Sequence, residues 1–146
     1  LLKVKNFLND ETFFFTYGDG LCDLNILDLL KIHKEKKSKV TLTAVQPPGR
    51  FGSLDLKDDR VNSFIEKPAG DNSWVNGGFF VVEPEVVNMI DNYNETWEKD
   101  ILPNIAKDGH LGYFKHSGFW QCMDTLRDKN TLEKLWKDGK APWKLW

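Results

Sequence analysis

The 146-residue chain holds only two cysteines, Cys22 and Cys122. They are too few for a disulfide framework and stand at no metal-ligand spacing. The expectation is a reduced, cytoplasmic compartment in which both thiols serve as small buried hydrophobes. No apolar run approaches the ~18 residues of a membrane-spanning helix, and no secretory leader is read before the first strand, so no membrane partner is expected. Charge of one sign is lacking as well. Lys and Arg number 20 against 22 Asp and Glu, a net charge of −2, which excludes the concentrated positive field of a nucleic-acid-binding face. The lysines that do cluster, Lys34, Lys36, Lys37 and Lys39, fall at a predicted helix end, where the dipole favours them. His33, His110 and His116 are scattered without partner spacing. There is no Ser-His-Asp or Cys-His arrangement, no evident general base, and no Gly-rich phosphate-binding loop.

What is present is an ordinary globular composition, 40% hydrophobic and 29% charged, long enough for one domain with a real core. The chain opens at Leu1 without a methionine and reads as part of a longer protein. Residues 12–17, with Phe13, Phe14 and Phe15 in succession, read as a strand buried on both faces. Asp23 is expected to N-cap a helix with Leu24, Leu27, Leu29 and Leu30 on its apolar face, before a second buried strand at 40–45. Strand, helix, strand at this spacing predicts a βαβ unit with a parallel pair. Phe51 to Lys57 and Val61 to Glu66 read as an antiparallel pair about Asp58-Asp59. A strand follows over 74–83, then a short helix opened by Pro84, a helix over 96–107, and strands over 111–116 and 119–123. Thr125 to Asp128 has the form of a capping box opening a last helix. The order is α/β with a mixed sheet, and no domain boundary is evident.

Several positions carry chemistry, each with a plainer alternative. Asp19 lies in Gly18-Asp19-Gly20, where a strand ends, the usual ligand position in open α/β sheets and equally an ordinary turn. Asp124 also leaves an apolar strand, with a helix cap as its alternative role. Two carboxylates meeting one Mg²⁺ are chemically sufficient for phosphoryl transfer, since that ion is otherwise held by substrate phosphates and water. Glu66-Lys67-Pro68 sets opposite charges at a strand end, with the lysine pushed toward extended backbone by the proline. Such a lysine offers a phosphate a point charge and the glutamate accepts from hydroxyls; the alternative is a surface ion pair. Asn76-Gly77-Gly78 and Phe51-Gly52 offer an amide and open backbone to a ligand, or mark bulges.

The joint order of these motifs is the informative feature. Phe15-Thr16-Tyr17-Gly18-Asp19-Gly20, Pro47-Pro48-Gly49-Arg50-Phe51-Gly52, Phe64-Ile65-Glu66-Lys67-Pro68, Asn76-Gly77-Gly78 and Phe119-Trp120-Gln121-Cys122-Met123-Asp124-Thr125 resemble the sugar-1-phosphate nucleotidyltransferases. The Pro-Pro-Gly-Arg-Phe-Gly stretch and Gly139-Lys140-Ala141-Pro142-Trp143-Lys144 are similar to the cytidylyl-transferring branch of that family. The resemblance covers essentially the whole chain. It implies a Rossmann-like mixed sheet of the GT-A-like type with N-terminal strands missing, residues 1–146 being the C-terminal portion of a single domain.

The implied reaction is transfer of CMP from CTP to α-D-glucose 1-phosphate, giving CDP-glucose and pyrophosphate, with Mg²⁺ as cofactor. By the same resemblance Asp19 and Asp124 hold the metal and Gly18 lies against the nucleotide. Lys67 contacts the sugar phosphate, completing a catalytic set with the two aspartates, while Glu66, Asn76 and the backbone at Gly52 and Gly77 hold glucose. The family implies a homo-oligomer for the full-length protein and a place in bacterial surface-polysaccharide (O-antigen) synthesis. The family's Gly-rich loop with its arginine, and the Lys-Pro segment after it, are absent from the sequence. The expectation is therefore a segment incomplete for catalysis by itself, with an exposed sheet edge at Phe13, Phe14 and Phe15. Two alternatives stand beside it: a non-catalytic sugar-phosphate-binding or assembly module, and an enzyme that uses dTTP or UTP.

Overall fold

The computed structural model describes residues 1–49 and 52–146. Arg50 and Phe51, with the expected start of a strand at Phe51, lie outside the described residues. Along the chain run β1 (Phe13–Thr16), β2 (Gly20–Cys22), α1 (Ile26–Lys36), β3 (Val40–Val45), β4 (Ser53–Lys57), β5 (Arg60–Ile65), β6 (Val75–Val82), α2 (Leu102–Lys107), β7 (Leu111–His116), β8 (Trp120–Cys122) and α3 (Leu126–Lys137). A single π-helical turn, Trp97–Ile101, leads into α2. The helix expected after Pro84 is a 3₁₀ turn, Pro84–Met89, that buries Val86 and Val87.

Among the described residues one sheet has the order β1-β6-β3-β7, and β2-β8 and β4-β5 form two-stranded ribbons. The expected neighbouring pair of β1 and β3 is not found. β6 sits between them and pairs antiparallel to β1, from Phe13 opposite Val82 to Thr16 opposite Phe79. A helical crossover leaves room for a later strand to insert between the two that it joins, and local sequence carries no trace of that insertion.

The backbone gathers into two compact units, Leu1–Gly18, Asn25–Thr43 and Gly78–Phe114 in the first, Asp19–Leu24, Ala44–Gly77 and Lys115–Trp146 in the second. The first has a core of Val40, Phe80, Val82, Val86, Ile101, Leu102 and Ile105. Phe15 joins it by stacking on Phe80 with ring centroids 5.5 Å apart and meeting Trp97 edge-on at 5.4 Å. Edge-to-face and offset arrangements of this kind suit the ring quadrupoles. β1 is therefore not buried on both faces. Its burial alternates, with Phe13 and Phe15 partly covered and Phe14 47% exposed, because a strand sends successive side chains to opposite faces.

α1 is capped by Asn25, whose side chain accepts from the Leu27 amide at 3.0 Å, rather than by Asp23. Its buried stripe is Leu29 and His33, one turn apart, while Leu27 faces solvent. The second unit carries both ribbons and α3. Asp58 and Asp59 both take positive φ at the β4–β5 turn, the backbone that a tight hairpin demands. α3 opens on the expected capping box: the Asp128 amide donates to the Thr125 hydroxyl, and the Thr125 amide donates back to the Asp128 carboxylate. Aspartate serves in place of the longer glutamate.

Candidate active site

The β2–β8 ribbon positions the two aspartates. Gly20 lies opposite Cys122, Leu21 opposite Gln121 and Cys22 opposite Trp120. The Met123 amide extends the pairing by donating to the Asp19 carbonyl at 2.8 Å. Asp19 and Asp124 thus leave adjoining strands at the same end of one ribbon, both exposed. Two exposed oxygen donors fit Mg²⁺, which keeps several waters and takes only one or two carboxylates. Gly18, just before Asp19, is exposed, and a side chain there would meet nothing among the described residues within 4 Å.

A cleft of 620 Å³ opens beside this ribbon, lined among others by Pro47, Gly49, Lys67, Cys122, Arg127 and Asp128. Gln121, on the same wall, donates to the Cys122 carbonyl and to the Asp128 carboxylate. Lys67 and Arg127 give the cleft two cations. Arg127 is a residue that the sequence reading passes over, since its place inside a capping box looked purely structural. The N-terminal turn of α3 beside it is its one local signal, because helix N-termini favour anions.

Lys67 has φ +46, in the left-handed region, so the expected extended backbone before Pro68 is corrected. Packing overrides the local preference. Gly49 lies so close to the Lys67–Pro68 peptide that a β-carbon would stand 2.3 Å from the Pro68 carbonyl oxygen, and the Gly70 amide donates to the Pro47 carbonyl. Lys67 Nζ sits 3.3 Å from Glu66 Oε1, both exposed. Gly52 belongs to the same group: a β-carbon there would strike the Phe64 ring at 2.5 Å and lie 3.3 Å from Glu66 Oε2. Gly77 is buried and its carbonyl accepts from the Trp120 indole at 2.8 Å, while Asn76 beside it is half-buried. Five of the expected residues therefore fall into two groups, Asp19 with Asp124 and Gly52 with Glu66 and Lys67, while Gly77 is held by Trp120; Lys67 and Cys122 line one cleft.

Neither thiol is an ordinary one. Burial chiefly pushes the Cys22 thiol up to about 11. Burial also raises Cys122, helped by its hydrogen bond with the Asp124 side chain. Two of the histidines, which look unpartnered in sequence, have side-chain partners in space. Buried His33 contacts Thr41 Oγ1 at 2.9 Å and Glu83 Oε1 at 2.8 Å, a satisfied core residue. His116 Nε2 lies 2.9 Å from Asp23 Oδ1, and Cys22 completes a three-donor cluster with them.

Two exposed carboxylates at one strand end, beside a cleft lined by two cations, thus stand on an α/β frame. The sequence model of the family described as Nucleotidyl transferase matches residues 1–138, and the chain belongs to that family. It is 56% identical over 138 residues to the glucose-1-phosphate cytidylyltransferase of Salmonella typhimurium, covering 94% of this chain and 54% of that protein. A probable glucose-1-phosphate cytidylyltransferase of Bacillus subtilis is 37% identical over 147 residues, covering 100% and 58%. The chain spans about half the length of the curated relatives it matches. Among solved structures, a putative glucose-1-phosphate thymidylyltransferase from Bacillus anthracis superposes with a TM-score of 0.64 at 20% identity, covering 94% of this chain and 59% of that one. HddC from Yersinia pseudotuberculosis does so with 0.64 at 21%, covering 89% and 57%. The fold is thus α/β with the Rossmann-like mixed sheet of the nucleotidyltransferases.

Proposed function

We propose that the protein carrying this chain transfers CMP from CTP to α-D-glucose 1-phosphate, releasing pyrophosphate and CDP-glucose. The observation that carries the reading is the ribbon register that delivers Asp19 and Asp124 to one strand end, in a chain 56% identical to a glucose-1-phosphate cytidylyltransferase. Asp19 and Asp124 would hold Mg²⁺. When bound, that ion neutralises charge on the phosphates during in-line displacement. Lys67 places its ammonium where the sugar phosphate enters the cleft, and Glu66 accepts from sugar hydroxyls. Gly52, Asn76 and Gly77 frame the sugar, and Gly18 leaves room for the nucleotide. Arg127 adds a second cation on the cleft wall. We place the protein in the cytoplasm, as a homo-oligomer that supplies activated glucose for surface-polysaccharide synthesis; among the described residues no helix is long and apolar enough to cross a membrane.

The test is pyrophosphate release by the full-length protein with glucose 1-phosphate, Mg²⁺ and each of CTP, dTTP, UTP and GTP. CTP should be preferred, and Asp19→Asn or Asp124→Asn should each lower kcat by at least about 100-fold, a loss of roughly 3 kcal/mol of transition-state stabilisation. Wild-type rates in the double variant would sink the metal assignment. Sugar-phosphate binding that is tight, indifferent to Mg²⁺ and without turnover would make the protein a binding module.

A further inference from the structure

We propose that Cys22, Asp23 and His116 form a Zn²⁺ site that uses none of the residues assigned to phosphate transfer. Their donor atoms, one sulfur, one carboxylate oxygen and one imidazole nitrogen, all lie within 4.8 Å of one another. Thiolate and imidazole select a borderline-soft cation such as Zn²⁺, whereas Mg²⁺ prefers oxygen alone. Around tetrahedral Zn²⁺ such donors stand roughly 3.3–3.6 Å apart, given bonds of about 2.0–2.3 Å. Closing the cluster on an ion therefore needs only a small contraction, together with a slight opening of the 2.9 Å gap between His116 Nε2 and Asp23 Oδ1.

A second observation points the same way. Asp23 Oδ1 is shut off from solvent and makes no hydrogen bond among the described residues, its near neighbour being His116 Nε2 at 2.9 Å. His116 Nε2 also lies 3.2 Å from the Phe119 carbonyl, a contact that a metal ion on this nitrogen would replace. A cation held by both side chains would give Asp23 Oδ1 a directed partner. The frame is rigid. Cys22 ends β2, His116 ends β7, and the Asp23 amide donates to the Phe119 carbonyl. Gly118 packs against the pair so tightly that a β-carbon would lie 2.4 Å from Asp23 Oδ1. Three protein donors leave the fourth position to water or to another ligand.

The probe is Zn²⁺ itself, competed against a chromophoric chelator on purified protein stripped of metal, with Co²⁺ as the spectroscopic substitute. We expect one Zn²⁺ per chain, retained in excess Mg²⁺, and a thiolate-to-cobalt charge-transfer absorption. Cys22→Ser should abolish that absorption, and Cys22→Ser or His116→Gln should weaken Zn²⁺ binding by at least about 100-fold, since losing an outer-shell partner alone costs 10–100-fold. Absence of stoichiometric binding, or an absorption that survives Cys22→Ser, overturns the site. Alkylation mapping of the unmodified protein guards against variants that fail to fold. Zn²⁺ should shield Cys22 and leave Cys122 as reactive as before; equal shielding of both, or of neither, also overturns it.

Discussion

The Trp120 indole donates a 2.8 Å hydrogen bond to the carbonyl of Gly77, a buried glycine distant from it in sequence. That bond ties the β8 strand to the start of β6 and holds the Asn76-Gly77 backbone in place. Trp120→Phe keeps the ring and removes the donor, leaving a buried carbonyl without this partner. The protein should lose about 1–3 kcal/mol of stability by urea denaturation. On the proposed function, KM for the sugar phosphate should rise more than kcat falls. An unchanged denaturation midpoint would mean that the bond contributes nothing net.

Gly78 shows a different constraint. Its φ is +78, and a β-carbon would stand 2.7 Å from Tyr17 Cδ2, while the Tyr17 amide donates to the Gly78 carbonyl. Gly78→Ala therefore meets both an unfavourable backbone and a ring that must move. The expected loss is about 2–4 kcal/mol, the sum of left-handed strain and overpacking. Equilibrium unfolding monitored by tryptophan fluorescence measures it, and a loss below about 0.5 kcal/mol would show that β6 relaxes freely there.

What the sequence discloses, and what it hides, follows from the range of each interaction. The capping box at Thr125 and Asp128 and the turn at Asp58-Asp59 involve neighbours only, so residue types suffice to read them. β3 reads as a buried strand from composition and is one. The N-cap of α1 is hidden because Asp23 and Asn25 are both good caps; Asp23 is drawn aside by His116 from the far end of the chain. Lys67 hides its left-handed backbone for a similar reason, since Gly49 imposes it from another segment. The aspartate pair is different. Each member is ambiguous alone, and only the strand register, a long-range fact, puts them at one end of a ribbon.

Asp100 gives a pH dependence of its own. Its carboxylate accepts from the Thr96 amide at 2.6 Å and from the Thr96 hydroxyl at 3.0 Å. These bonds, the amide first, hold it below its ordinary value of 3.8. A carboxylate lowered on folding adds stability above its unfolded value, and that contribution is lost as pH falls through the folded one. Asp100→Asn should therefore be less stable than the parent at pH 7, with the gap closing as pH drops below the ordinary carboxylate range. Thermal melts of both proteins across that range check it; a gap independent of pH would trace the effect to shape rather than charge.

Cys22 works in the opposite sense. Burial chiefly raises its thiol from 9.0 to about 11, offset in part by the hydrogen bond from the Leu24 amide. The thiolate is the reactive form, so at pH 8 its fraction is about 100-fold below that of an ordinary thiol. In metal-free protein, with a chelator present, iodoacetamide should modify Cys22 about 100-fold more slowly than a cysteine in a short peptide, and mass spectrometry of the digested protein gives the rate. A group raised on folding contributes stability below its unfolded value and loses it as pH climbs through the folded one. The protein should therefore weaken as pH rises from about 9 to about 11, and Cys22→Ser should flatten that part of the profile. Peptide-like alkylation of Cys22 at pH 8 would show that the thiol is reached by solvent, and that desolvation does not govern its ionisation.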